Sequence, residues 1–174
     1  MAAIDVGALA IDRGSQLSGG YTVIEESNPA NLTGAITLVK IYAESAMLGV
    51  KVGIFYKRNG DTFSTRSNVT LGDIADDYTE HIVNLAVVAG DFIGIYFTGG
   101  TISRELTGGV GAWLHLADDI PCTDVIFTHY DEHIYSLYGE GAELGWEGKI
   151  SGVTNPAKVM GVAVANIAKV KGIA

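Results

Sequence analysis

The segment His129-Tyr-Asp-Glu-His133 holds the densest set of side chains that could do chemistry. On a helix, histidines four residues apart share a face and can ligate zinc. Here the acid is not in the H-E-x-x-H position. The flanks, Val125-Ile-Phe127 and Ile134-Tyr-Ser-Leu-Tyr138, read as strands. The segment is therefore expected to be a loop, and no metal is expected on it. Asp73, Asp76, Asp77 and Glu80 could offer oxygen ligands to calcium. They lack the EF-hand frame and read as solvated turn acids, as do Asp118 and Asp119. The single cysteine, Cys122, excludes an intrachain disulfide and a cysteine-based zinc site. No G-x-S-x-G frame and no P-loop lysine occur. Gly108-Gly-Val-Gly111 lacks the third glycine of a dinucleotide site. The expectation is a protein without catalytic residues or cofactors.

The aromatic residues suggest binding instead. Trp113, Tyr130, Tyr135 and Tyr138 lie in the last strand candidates, near His115 and His129. Sugar rings stack on exposed Trp and Tyr, so these four are the glycan-binding candidates. The competing role is packing, because Trp and Tyr are largely buried on average.

These residues need elements to hold them. The chain has 174 residues, of which 48% are hydrophobic and 18% charged. That composition excludes a disordered polar chain and suggests one main domain. Its 23 glycines follow no Gly-X-Y period and suggest many tight turns. In Val50-Lys-Val-Gly-Ile-Phe-Tyr56, Val50, Val52, Ile54 and Tyr56 alternate onto one face, the mark of a half-buried strand. Asn59-Gly60 then signals a hairpin into the run from Asp61 to Val69. Further strand candidates are 21–25, 35–43, 80–87, 92–98, 101–106, 112–116, 124–128 and 133–138. About ten short strands point to an all-β, two-sheet sandwich of jelly-roll or lectin-like type. The stretch Gly72–Tyr78 could hold one helical turn.

After Trp146 the texture changes, and no aromatic residue follows. Ala157-Lys-Val-Met-Gly-Val-Ala163 recurs as Ala168-Lys-Val-Lys-Gly-Ile-Ala174, a period of 11. The expected division is a sandwich over 1–138, a linker over 139–147 and an extended C-terminal arm over 148–174. Two short repeats cannot form a core alone. The arm must lie on its own body or on a neighbour, and alternation of small and β-branched residues suits an extended strand at a sheet edge. Lys158, Val159, Gly161, Lys169, Val170 and Lys171 are the subunit-docking candidates.

Charge supports docking. The net charge is −9, yet residues 148–174 carry four lysines and no acid, and all 20 acids precede them. A basic end on an acidic body favours contact with another copy. The acidic body argues against nucleic acid as a partner. The longest uncharged run, Ser27–Val39, is 13 residues, short of the ~20 needed for a membrane helix, so no insertion is expected. The start, Met1-Ala-Ala-Ile-Asp5, lacks a basic n-region, and no secretory signal is expected in this chain.

Two passages carry a resemblance. Leu85-Ala-Val-Val-Ala-Gly-Asp-Phe-Ile-Gly-Ile-Tyr96 resembles the strand–turn–strand "GD-x-I/V-G" pattern of lectin-like and jelly-roll modules, with Gly90-Asp91 as the turn and Ile93, Ile95 and Phe97 entering the core. The tail from Pro156 to Ala174 is similar to the "A-K-V-x-G-V-A" repeats at the ends of phage and prophage structural proteins. That resemblance implies an oligomeric virion or particle component, reaching the particle after cytoplasmic synthesis. The leading expectation is a non-enzymatic appendage, fibre or decoration subunit, with homo-oligomer or particle proteins as partners and a cell-surface glycan as a further possible one. The alternatives are a carbohydrate-binding lectin-like module and a subunit of an extracellular filament joined by strand exchange.

Overall fold

The computed structural model describes residues 3–143 and the four short strands Lys149–Ile150, Val153–Thr154, Lys158–Val159 and Val162–Ala163. The body is all-β. Its strands are β1 (Ala3–Gly7), β2 (Ser15–Ser18), β3 (Thr22–Glu25), β4 (Gly34–Asn59), β5 (Thr62–Ile74), β6 (Asp77–Val87), β7 (Phe92–Tyr96), β8 (Gly99–Glu105), β9 (Gly111–His115), β10 (Val125–Ile126), β11 (Thr128–Asp131), β12 (Ile134–Tyr135) and β13 (Leu137–Ala142).

The 26-residue β4 organises the sandwich-like body. Its first half pairs with β13 and β6, and β1 extends that sheet beyond β13. Its second half pairs with β5 and β7, and the second sheet continues through β3 and β9 to β11. Between them, β8 joins the middle of β4 and carries β2 and β12. Register shifts at Ala43/Ser45 and Ser45/Leu48 mark the passage from one sheet to the other. Bulges bend a strand in this way.

One apolar core spans both sheets. Val6, Ile36, Val39, Ile41 and Leu85 meet Val23, Val52, Ile54, Ile93 and Ile95. Gly139 stands where the layers close. A Cβ there would come within 2.9 Å of Val6 Cγ1, 3.1 Å of Ile36 Cγ2 and 3.2 Å of Ile93 Cδ1. A second cluster lies on the other face of the second sheet: Ile24, Phe55, Phe63 and Trp113, covered by Ile120 and Phe127 of the segment before β11. That sheet is therefore apolar on both faces.

The strand expectations hold in kind, with these corrections. Gly72–Tyr78 forms no helical turn, since β5 runs to Ile74 and β6 begins at Asp77. Residues 139–142 are no linker, because Gly139–Ala142 pair with both β1 and β4. The body thus extends past 138. Asn59-Gly60 does announce a hairpin, but Asn59 pairs with Thr62, so Gly60 (φ +55°) and Asp61 form the turn. Ile93, Ile95 and Phe97 are fully buried. Asp91, which precedes them, closes its turn by accepting from Val88 N at 2.8 Å and binding Arg66 through both oxygens.

Cys122 is half-buried beside the second cluster. Its backbone N donates to Thr65 Oγ1 at 2.9 Å, and burial pushes its thiol pKa up. A protonated thiol is a poor nucleophile. Cys122→Ser should cost at most about 1 kcal/mol in urea unfolding, because serine keeps the size and the Thr65 contact. A loss above ~2 kcal/mol would show that the sulfur fills tightly packed space.

Candidate functional site

The four aromatic candidates separate on burial. Trp113 is 1% exposed and Tyr135 is 0% exposed. Neither can stack on a sugar. Trp113 sits against Phe63, Phe92 and His129, with ring centroids at 4.8, 5.2 and 5.1 Å. Its indole N–H donates to Asp61 Oδ1 at 2.8 Å, and Lys57 Nζ lies 4.5 Å from the ring. Tyr135 is enclosed between β8 and the buried Glu25. Tyr130 is exposed but stacks on His133 at 5.3 Å, which occupies one of its faces. Tyr138 lies on the outer face of the first sheet, away from the other three.

That outer face is the part of the body best suited to recognition. Register places Asp5, Glu140, Leu38 and Ile82 in one row across β1, β13, β4 and β6. The next row holds Tyr138, Lys40 and Glu80, and beyond it Tyr42 faces Tyr78. The intervening residues Val39, Ile41, Val83 and Leu85 point into the core. Ile82 is 92% exposed, the largest exposure among the bulky apolar side chains of the body.

The polar groups on this face are mutually bonded. Lys40 Nζ donates to Glu140 Oε1 at 2.6 Å and lies 5.9 Å from the Tyr138 ring centroid. The Tyr78 hydroxyl donates to Glu80 Oε1 at 2.6 Å. The Lys40 pKa is raised chiefly by its bond to Glu140, and that of Tyr78 chiefly by its bond to Glu80. Burial and then neighbouring acids raise those of Tyr42 and Tyr138. All three phenols thus stay protonated as donors. Beyond Tyr42 the face runs to a shallow groove of about 390 Å³ lined by Asp12, Gly14, Ser15, Gln16 and Glu44. Aromatic rings, phenol donors and carboxylate acceptors can hold an ammonium or a hydroxylated ligand.

Sequence reasoning missed Tyr42 and Tyr78. The signal was present: 38, 40 and 42 alternate with apolar 39 and 41, and 78, 80 and 82 share one parity. Period two in two paired strands brings these residues onto one face.

The histidine segment is not the loop expected from sequence, since its first three residues belong to strand β11. His129 lies in β11, with Nε2 2.6 Å from Glu26 and Nδ1 3.2 Å from Asp131. His133 follows a turn at Glu132 (φ +64°), so the two share no ligating face. Asp73 accepts from Gly49 N and Asp77 from Tyr78 N. Among the described residues no group of three or more acids, histidines or cysteines is arranged to hold a metal ion. No helix there is long and apolar enough to cross a membrane.

The arm holds a repeat that the 11-residue period concealed. Lys149 pairs with Thr154 and Ile150 with Val153. Lys158 pairs with Ala163 and Val159 with Val162. Aligned on this register, the chain reads Lys149-Ile-Ser-Gly-Val-Thr154, Lys158-Val-Met-Gly-Val-Ala163 and Lys169-Val-Lys-Gly-Ile-Ala174. The first two copies each pair as two short antiparallel strands, and the third, outside the described residues, shares the sequence K-β-x-G-β-small. Val159 and Ala163 therefore belong to two antiparallel strands, which corrects the single extended strand expected from sequence. Of the docking candidates, Lys158 and Val159 form one short strand, while Gly161, Lys169, Val170 and Lys171 lie outside the described residues.

No protein-family model and no curated protein matches this chain.

Proposed function

We propose that this chain is a non-enzymatic structural subunit of a phage-like virion or particle, an appendage, fibre or decoration protein joined to its neighbours by the C-terminal arm. The observation that carries the reading is the pair of arm hairpins with the same register, following a body with its own core. Strands of two residues are too short to be stable alone in water. Repeated short hairpins need a surface, and a particle offers one. The tail's likeness to the repeats of phage structural proteins supports the same reading.

Negative-stain microscopy and mass photometry of the purified full chain test the proposal. The expected result is a discrete ring, fibre or higher oligomer. A uniform 18.3 kDa species at micromolar concentration would contradict it.

A second reading, a lectin-like module, is favoured by the exposed face that carries Tyr42, Tyr78 and Tyr138. Retention on immobilised polysaccharide, lost in Tyr78→Ala, is its expected signature. Tyr78 is 46% exposed, so the substitution leaves the core intact.

A further inference from the structure

We infer that the outer face of the first sheet, centred on Leu38 and Ile82, is the receptor for the arm of a second copy of this chain. This rests on the reading that the arm drives assembly and adds the surface on which it docks. Among the described residues no element covers this sheet surface, and its centre is apolar and exposed. Ile82 stands 92% exposed beside its cross-strand neighbour Leu38, at the level of Glu140 and Asp5. Among the described residues β6 pairs only with β4, so its other edge offers unused backbone donors and acceptors. Edges of this kind bind added strands.

The arm has the complementary composition. Each of the two described hairpins brings one lysine at its start and a cross-strand pair of β-branched residues, Lys149 with Ile150 and Val153, and Lys158 with Val159 and Val162. The β-branched residues supply the apolar cover that Leu38 and Ile82 lack. The lysines meet a face on which Asp5, Glu80 and Glu140 surround a single lysine. Lys40 shows how that face receives an ammonium, bonded to Glu140 beside the Tyr138 ring. Partly shielded charge pairs with an aromatic neighbour are stronger than open surface pairs. The arm leaves the body after β13, whose Ala142 pairs with Ala3 and Ala35 at one end of the same sheet. Each copy can then both give an arm and receive one.

The test uses the full chain prepared in two isotopic forms, mixed and joined with a carbodiimide, which condenses a carboxylate with a lysine amine and releases the elements of water. Peptide mass spectrometry should find amides between Lys149, Lys158 or Lys169 of one isotopic form and Glu80, Glu140 or Asp5 of the other. In parallel, Ile82→Glu should weaken association at least about tenfold, since it puts a charge into an apolar contact, with unchanged circular dichroism because the residue is exposed. Links confined to one isotopic form, or links to carboxylates off this face together with unaffected association of Ile82→Glu, would overturn the inference. The two failures are distinct. A full chain that stays monomeric removes the assembly reading itself. An oligomer indifferent to Ile82→Glu leaves assembly standing and removes only this face as the receptor.

Discussion

Trp113→Ala should lose about 3–5 kcal/mol of folding stability, as full truncations of buried aromatic residues do. The indole is enclosed by Phe63, Phe92 and His129, and its N–H is bonded to Asp61. Removing it empties the centre of the second cluster and leaves the Asp61 carboxylate and the Lys57 ammonium without their aromatic partner. Urea unfolding followed by circular dichroism measures the change. A loss below about 1 kcal/mol would mean that the ring is a surface platform, since exposed substitutions stay near ±0.5 kcal/mol.

Glu25 should carry the second large effect. It is fully buried in β3. Its Oε1 accepts from Ser27 N at 3.0 Å and from the Ser27 hydroxyl, and its Oε2 accepts from Tyr135 N at 2.6 Å. Glu25→Ala strands these donors in the interior and should cost about 2–4 kcal/mol. Burial raises the Glu25 pKa above its ordinary value of 4.5, against the smaller opposing effects of its hydrogen bonds and of Arg13. The sign follows from proton linkage. Between the ordinary and the raised pKa, the folded chain holds a proton that the unfolded chain has released. Stability therefore falls as pH rises through that window. Glu25→Gln titrates in neither state and should remove this part of the dependence. Urea midpoints of both proteins from pH ~4 upward make the comparison. Parallel curves would show that Glu25 has the same pKa folded and unfolded.

Much of the fold was legible because strand periodicity is local. Val50–Tyr56 and Phe92–Phe97 could be read from alternation alone, and Asn59-Gly60 from its turn chemistry. The long β4 was not, since Glu44-Ser-Ala46 breaks the apolar alternation where the strand crosses between sheets. The linker boundary failed for a related reason. Gly139 and Gly141 look like loop residues, yet Gly139 is the close-packed point under Val6 and Ile93. Glycine in a strand can mark close approach as well as a turn.

The candidate site was less legible, because it depends on which strands become neighbours. Trp113 and Tyr138 look alike in sequence. Trp113 lies in a sheet covered on both faces, and Tyr138 in one whose outer face no described residue covers. Tyr42 and Tyr78 lie 36 residues apart, and only the β4–β6 register brings them opposite each other. The arm's six-residue sequence unit was hidden because its copies begin nine and then eleven residues apart, and only the pairing of Ile150 with Val153 showed the common frame.

Sedimentation velocity of the full chain and of a chain ending at Glu143, each at low and high salt, tests most directly whether the arm assembles the protein. The shortened chain keeps all thirteen body strands and should fold as an all-β monomer. The full chain should sediment as an oligomer at tens of micromolar and partly dissociate at high salt, where screening weakens the lysine–carboxylate contacts. A monomeric full chain, or an oligomer that survives loss of the arm, would contradict the account.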